Sequence, residues 1–306
     1  MKYGFSLIMR GSEATRESFH AMAEKAEQLE LDSLWVSSHV VVPPLTKSKY
    51  PGRADGQFPP LWLEGYWDPW TVLGYLAAVT SKVTLGTSVL ILPMHDAIEA
   101  ARNVADLDQL SQGRFVFGVG AGWFEEEFEV LGRPFKERGA RLNEGLDVCK
   151  SLWSEERPSF EGQFYKFKDV YFFPKPVQRP GPPIWVGGSA PVSLRRAARY
   201  GGAWHPHRPT FETFKEKLPK LHEYLEQEGR PRDALQIAAK LMLTFQDGPP
   251  GPGQLPTEGT PQMIVDAIRR YQDLGVNHFV FDYMPEARDT GLAAMERFAQ
   301  EIRPKL

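Results

Sequence analysis

The 306-residue sequence predicts an α/β fold, a (β/α)8 TIM barrel. Three observations favour it: eight short apolar runs, a segment of helical periodicity after most of them, and no second region of different composition. Strands that alternate with helices are typical of parallel pairing through helical crossovers. An open, doubly wound sheet shows the same alternation, but the count of eight favours one barrel domain over residues 1–306.

The predicted strands share a short apolar core between polar or turn residues. In chain order they are expected at 3–9, 33–37, 83–89, 115–119, 184–186, 203–204, 235–243 and 279–281.

Apolar residues at helical spacing predict the helices between these strands. Phe19, Met22 and Ala26 begin the series after the first strand. Asp68 and Thr260 are each followed by proline, the pattern of an N-cap and a first helical turn. Further apolar stripes are centred near residues 104, 146, 218 and 298, and Ser189 and Pro191 are expected to start a helix that ends at Gly201.

Three stretches interrupt the alternation, so the barrel is expected to carry insertions after strands two, four and seven, at 40–66, 157–183 and 246–259. The first and third directly follow strands, at the carboxyl-end face where barrel enzymes build active sites. The second comes after the helix that follows strand four. It contains a predicted hairpin at 160–165 with Gly162 in its turn, and a structural role is expected for it.

Composition excludes several functional classes. The formal charge is −3 with acids and bases interspersed, which does not favour binding to nucleic acid or to an anionic membrane. No apolar run approaches the ~20 residues of a membrane span. Cys149 is the single cysteine, so an internal disulfide and a multi-cysteine metal site are excluded. The first residues lack the pattern of a signal peptide, and a cytoplasmic protein is expected.

His39 is the first candidate for chemistry, because it follows strand two at the predicted barrel mouth. A histidine there can exchange a proton near neutral pH. A solvent-exposed or hydrogen-bonded rim residue is the alternative. His205 and His207 follow strand six on the same face, but neither a metal-binding HExxH helix nor a Gly-x-Ser-x-Gly hydrolase motif is present, and no metal site is predicted.

Two glycine-bearing turns are candidates for anion binding. Gly118 to Trp123 ends strand four, and its Gly120, Ala121 and Gly122 allow close approach of backbone N–H groups to a phosphate. A tight turn that merely needs glycine is the alternative. Gly187, Gly188 and Ser189 end strand five just before a helix, where N–H groups and a hydroxyl converge. A plain N-cap explains Ser189 equally well.

Tryptophans could wall an apolar pocket at the mouth, although core packing is their commoner use. The candidates are Trp62, Trp67, Trp70 and Trp123.

Five segments together resemble the luciferase-like superfamily of flavin- and deazaflavin-dependent oxidoreductases: 35–43, 85–90, 101–114, 118–123 and 185–189. Their order and spacing hold over almost the whole chain. The sequence is most similar to the branch that uses coenzyme F420, a deazaflavin, because His39-Val40-Val41-Val42-Pro43 precedes a loop with Tyr-Pro and Asp-Gly.

The resemblance implies a site at the barrel mouth. A non-proline cis peptide at Ser88-Val89 would back the cofactor ring, and His39 would lie near its reactive edge. Trp204 would pack beside the substrate, and a homodimer is implied. The remaining cofactor-binding positions, for phosphate and tail, would be Gly120, Ala121, Gly122, Gly187, Gly188 and Ser189.

Two departures from relatives are visible. Ser38 stands where many relatives have an acidic residue before the histidine, which removes a candidate proton partner. Trp123 stands where some sugar-phosphate-oxidising relatives have a glutamate, which disfavours that substrate class. Glu125, Glu126 and Glu127 follow it and are expected to form a solvated acidic turn.

The sequence thus predicts an oxidoreductase that moves a hydride between coenzyme F420 and a small organic substrate. One alternative keeps the barrel but uses flavin mononucleotide (FMN) and oxygen as a monooxygenase. A second is a non-catalytic barrel that only binds flavin or deazaflavin.

Overall fold

Eight parallel strands form a closed barrel in the computed structural model, which describes residues 1–45, 47–50, 55–57, 65–283 and 288–306. They are β1 Lys2–Ser6, β2 Ser33–Val36, β3 Thr84–Thr87, β4 Phe115–Gly120, β5 Ile184–Gly187, β6 Ala203–His205, β7 Gln236–Met242 and β8 His278–Asp282. Their order around the sheet is β3-β2-β1-β8-β7-β6-β5-β4. Pairing of Leu85 with Phe115 and of Gly86 with Val116 joins β3 to β4. The predicted barrel is therefore confirmed, and the open sheet is excluded.

Helices cover the outside of the barrel. They are α1 Arg16–Gln28, α2 Pro69–Val79, α3 Ala97–Leu110, α4 Glu125–Val130, α5 Arg138–Ser154, α6 Pro191–Tyr200, α7 Phe211–Gln227, α8 Pro261–Asp273 and α9 Arg288–Arg297. The side chains of Asp68 and Thr260 accept hydrogen bonds from N–H groups in the first turns of α2 and α8, so both predicted caps are confirmed. No helix within the described ranges is long and apolar enough to cross a membrane.

The barrel interior is built in layers, because alternate residues of each strand point inward. Six inward residues form a separate apolar cluster: Trp35, Val116, Trp185, Ala203, Ala238 and Val280. The rings of Trp35 and Trp185 have centroids 4.5 Å apart. Continuing the alternation along β7 and β8 past Ala238 and Val280 places Lys240 and Asp282 in the next layer, toward the carboxyl ends. The sequence alternation thus gives an apolar interior below a polar mouth.

The insertions have different structures. In the second, Phe160–Glu161 pairs antiparallel with Lys166–Phe167, and the Gly162 N–H donates to the Tyr165 carbonyl at 2.9 Å, so the predicted hairpin is confirmed. At the third, Thr244–Phe245, just before the insertion, pairs with Glu258–Gly259 at its end. Much of the first, including Trp62, lies outside the described residues. The loop after β4 contains α4, a helix that the sequence patterns did not predict.

Candidate active site

Polar side chains form the floor of the barrel mouth. Ser88, which follows β3, and His205 and Lys240 are buried, and Asp282 is half-buried. Ser88 Oγ lies 2.8 Å from His205 Nε2, and Lys240 Nζ donates to the Ser88 carbonyl at 3.2 Å. The ammonium of Lys240 is also 3.3 Å from Asp282 Oδ1. Barrel interiors are usually filled by branched apolar side chains, so this layer is built for something other than packing.

The Ser88-Val89 peptide bond is cis, as the resemblance implied. Val89 lies between two glycines at neighbouring strand ends. A Cβ added to Gly120 would be 2.8 Å from Val89 Cγ2, and one added to Gly187 would be 3.1 Å from Val89 Cγ1. Both glycines therefore leave room for the Val89 side chain, which covers the ends of β4 and β5 and forms one surface with them.

The two glycine turns continue from this surface. Gly122 and Gly188 have φ of +85° and +96°, a region that strains residues with a Cβ. Helix α6 begins at Pro191 with Ala190 as its N-cap and has no side-chain cap, so Ser189 is not the plain N-cap that the sequence allowed. An uncapped helix start after a glycine turn suits a phosphate group, because N–H groups and the helix dipole both favour an anion.

His39 is paired with a carboxylate that the sequence analysis did not assign to it. Its Nδ1 lies 2.7 Å from Glu127 Oε2, and the side chains are 9% and 0% exposed. The other carboxylate oxygen, Oε1, accepts the Val40 N–H at 2.7 Å and the Val41 N–H at 3.4 Å. A carboxylate only accepts hydrogen bonds, so His39 Nδ1 carries the proton and Nε2 is the atom through which the ring can exchange one.

The expectation of a solvated acidic turn at 125–127 is wrong for Glu126 and Glu127. Both are buried in α4. Glu127 shares an inward face with Phe124 and Phe128, which are one helical turn apart and fully buried, whereas Glu126 lies on another face. Glu126 Oε1 accepts the N–H groups of Lys47 and Ser48 at 2.6 and 3.1 Å. The i, i+3, i+4 spacing of Phe124, Glu127 and Phe128 was the signal available in the sequence.

His39 has a candidate proton partner although Ser38 is not acidic, so the expectation that Ser38 removes one is wrong. The acid comes from α4 instead of the preceding residue. Ser38 itself is buried.

Aromatic rings surround His39. Tyr66 meets it edge-on with centroids 5.2 Å apart, and its hydroxyl makes a short hydrogen bond with Ser37. Trp123 lies 6.5 Å from His39 and stacks on Phe124 at 5.0 Å. Trp123 therefore lies beside the histidine.

Two other tryptophans, Trp67 and Trp204, pack against helices on the outside of the barrel. Trp67 is 41% exposed and packs edge-on against Phe19 of α1. Trp204 is fully buried and packs edge-on against Phe214 of α7, because Ala203 and His205 take the inward positions of β6. Its indole N–H donates to the Gly188 carbonyl at 2.8 Å. A place beside the substrate is therefore wrong for Trp204, which instead braces the Gly188 turn from outside the barrel.

The described ranges contain no group of three His, Cys, Asp or Glu side chains placed to hold a metal ion.

Buried histidines are expected to make the fold sensitive to acid. Burial, with repulsion from Lys2 and the N-terminus, lowers the pKa of His278 to about 3, and burial and Lys240 lower the pKa of His205. The unfolded chain takes up these protons near pH 6.5, so the stabilisation is complete above that pH and is lost as the pH falls toward 4. We expect about 3 kcal/mol of lost stability from His278 alone at pH 4.

Thermal unfolding followed by circular dichroism between pH 7.5 and 4 measures this loss. His278→Gln should flatten the dependence, and His20→Gln, at an exposed position of α1, should leave it unchanged. Equal slopes in wild type and His278→Gln would contradict the assignment.

Comparison with known proteins gives consistent results. A family model described as luciferase-like monooxygenase matches residues 1–249. A protein of Mycobacterium tuberculosis without an assigned activity is 30% identical over 92% of this chain and 93% of its own length.

Two further relatives carry cofactor names. The F420-dependent glucose-6-phosphate dehydrogenase of Kineococcus radiotolerans is 34% identical over 74% of this chain and 64% of its own length. The FMNH2-dependent dimethylsulfone monooxygenase of Pseudomonas putida is 34% identical over 58% of this chain and 48% of its own.

Solved structures share the fold. The monooxygenase RslO1 from Streptomyces bottropensis superposes with a TM-score of 0.81 at 22% identity, covering 99% of both chains. An F420-dependent secondary alcohol dehydrogenase bound to an F420–acetone adduct has a TM-score of 0.78 at 20% identity, covering 99% of this chain and 98% of its own. With the matched family model and the near-complete relative, the chain belongs to the luciferase-like monooxygenase family.

Proposed function

We propose that this protein is an oxidoreductase that transfers a hydride between coenzyme F420 and a small organic substrate at the barrel mouth. The observation that carries the proposal is the buried His39–Glu127 pair, on the strand end next to the surface of Val89, Gly120 and Gly187. The F420-dependent relative from Kineococcus radiotolerans supports the choice of cofactor.

Each part of the site has a role in this proposal. When bound, the deazaflavin supplies the carbon that accepts or donates hydride. Val89, Gly120 and Gly187 hold one face of the ring, with Ser88 behind them. The turns with Ala121, Gly122, Gly188 and Ser189 receive the phosphate and tail.

The substrate needs one proton exchanged for each hydride, and His39 Nε2 provides that exchange. Glu127 fixes the His39 tautomer, as buried carboxylates do for catalytic histidines. Trp123 and Tyr66 enclose the histidine with aromatic surface, which excludes water. We propose Trp123, and Trp67 at the rim, as walls of the substrate pocket. Within this proposal the protein acts in the cytoplasm. It also forms a homodimer, and light scattering of the purified protein tests the dimer.

The main alternative is a monooxygenase that uses reduced FMN and oxygen. It is supported by the FMNH2-dependent relative and by the fold shared with a monooxygenase. The surface of Val89, Gly120 and Gly187 has no feature that distinguishes one ring system from the other. A barrel that binds such a cofactor without catalysis is the second alternative, and the buried proton-exchange pair disfavours it.

Cofactor titration separates these functions. Because the ring surface and the anion-binding turns are preformed, we expect coenzyme F420 to bind with a Kd in the micromolar range, seen as changed absorbance and fluorescence. FMN in the same titration should bind at least about 10-fold more weakly. Tight FMN binding without F420 binding would overturn the F420 assignment, and turnover with any member of a substrate panel would exclude the non-catalytic alternative.

A further inference from the structure

Lys240 is a buried lysine in a strand that otherwise has apolar residues along its buried part. It is 7% exposed, between Ala239 and Leu241, which are fully buried. Burial of an ammonium group costs several kcal/mol unless a charged partner and hydrogen bonds compensate. A methionine or leucine would fill this inward position of β7 without that cost. The lysine therefore indicates a task other than packing.

The contacts of Lys240 show where that task lies. Its Nζ donates to the carbonyl of Ser88, across the barrel from β7, and lies near the carboxylate of Asp282 on the neighbouring β8. The backbone of Lys240 is fixed to the segment after β6, because its N–H donates to the Pro206 carbonyl and its carbonyl accepts the Arg208 N–H. The side chain that carries the ammonium to the Ser88 carbonyl therefore starts from a fixed backbone position.

Ser88 is held at three points, each from a different strand region. Its N–H donates to the Val36 carbonyl at 2.7 Å, its hydroxyl bonds with His205 Nε2, and its carbonyl accepts from Lys240. The first contact comes from β2, the second from β6 and the third from β7. Together they fix the position of the next residue in the chain.

That next residue is Val89, whose methyl groups lie against Gly120 and Gly187. A shift of the Ser88 carbonyl moves Val89 relative to both glycines and disturbs the surface proposed to hold the cofactor ring. Lys240 needs no contact with the cofactor to have this effect.

We propose that Lys240 is a positioning residue of the cofactor site, which acts through the Ser88 carbonyl to set the place of Val89. The inference rests on the proposed function, since it concerns the same site. It assigns the Lys240–Asp282 ion pair to holding the ring surface instead of to proton exchange, which belongs to His39.

Lys240→Met tests the inference, because methionine keeps the length of the side chain and removes the donor and the charge. The probes are coenzyme F420 and FMN, titrated separately into wild type and variant. For the cofactor that wild type binds, we expect Kd to rise about 10-fold or more, as when a hydrogen bond from a charged group is lost. At saturation, the visible absorption spectrum of the bound cofactor should shift toward its spectrum in solution.

Lys175→Met is the matched control. Lys175 is also buried, and its Nζ donates to the carbonyls of Leu152 and Glu155, in the region of the second insertion and away from the mouth. Its loss should lower stability and leave the Kd and the spectrum unchanged. Lys240→Arg, which keeps a charged donor, should restore binding to within about 3-fold of wild type.

The outcomes separate the two proposals. Wild type that binds neither cofactor overturns the proposed function. Wild type that binds, with the same Kd in Lys240→Met, overturns the inference, whether or not turnover changes. If Lys240→Met does not fold, Lys240→Gln, too short to reach the Ser88 carbonyl, should show the raised Kd, and an unchanged Kd would overturn the inference.

Discussion

Replacement of Glu127 by glutamine is expected to reverse the tautomer of His39 and to lower turnover by about 10²- to 10⁴-fold, as at other catalytic histidines whose carboxylate is replaced by an amide. The Val40 N–H holds Oε1 at 2.7 Å, so an amide oxygen stays there and the amide NH2 faces His39. His39 Nδ1 must then accept that N–H, and its proton moves to Nε2. The atom proposed to exchange a proton with substrate then already carries one.

The tautomer is read from the ¹⁵N shifts of the His39 ring in two-dimensional NMR, and turnover from the hydride-transfer assay with bound cofactor. Glu126→Gln is the matched control, because Glu126 is a buried acid on the same helix whose Oε1 holds Lys47 and Ser48 instead of the histidine. It should leave the His39 shifts unchanged. A Glu127→Gln variant with the wild-type tautomer and full turnover would remove both residues from the proposed chemistry.

Substitution of Gly118 by alanine is expected to lower the free energy of unfolding by about 3 kcal/mol or more. A Cβ at this position would be 1.7 Å from the Thr87 carbonyl oxygen, and the Thr87 hydroxyl donates to the Gly118 carbonyl at 2.7 Å. The clash is with backbone, so no side-chain rotation relieves it. It falls at the junction of β3 and β4 that closes the barrel, and urea denaturation measures the loss.

Gly74→Ala is expected to change the free energy of unfolding in the opposite direction. Gly74 lies inside α2 with no atom within 4 Å of the added Cβ, so alanine should raise the free energy of unfolding by about 0.5–1 kcal/mol. Equal stability of the Gly118→Ala and wild-type proteins would show that the two strands can separate without cost.

The barrel could be predicted from sequence because its strands and helices are encoded locally. The apolar runs and the Asp68 and Thr260 caps each depend on neighbouring residues, and all agree with one architecture. The cis peptide at Ser88-Val89 came from the resemblance instead, since no local pattern encodes it.

The pairs within the site could not be predicted in the same way. His39 and Glu127 are 88 positions apart, and Lys240 and Ser88 are 152 apart, so only the closed barrel brings them together. The place expected for Trp204 came from the resemblance, and the two-residue strand estimate for β6 did not establish which of its residues point inward. Lys240 could have been found from the sequence, because it is a single charged residue within an apolar strand and such a residue indicates a role other than packing.

The hold of α4 on the loop after β2 has an evolutionary consequence. Glu127 fixes the loop at His39 to Val41, and Glu126 fixes it again at Lys47 and Ser48. Between and beyond these two attachments, the chain can change in length and sequence while the histidine keeps its place. Loop exchange can therefore alter the barrel mouth while the His39–Glu127 pair is kept.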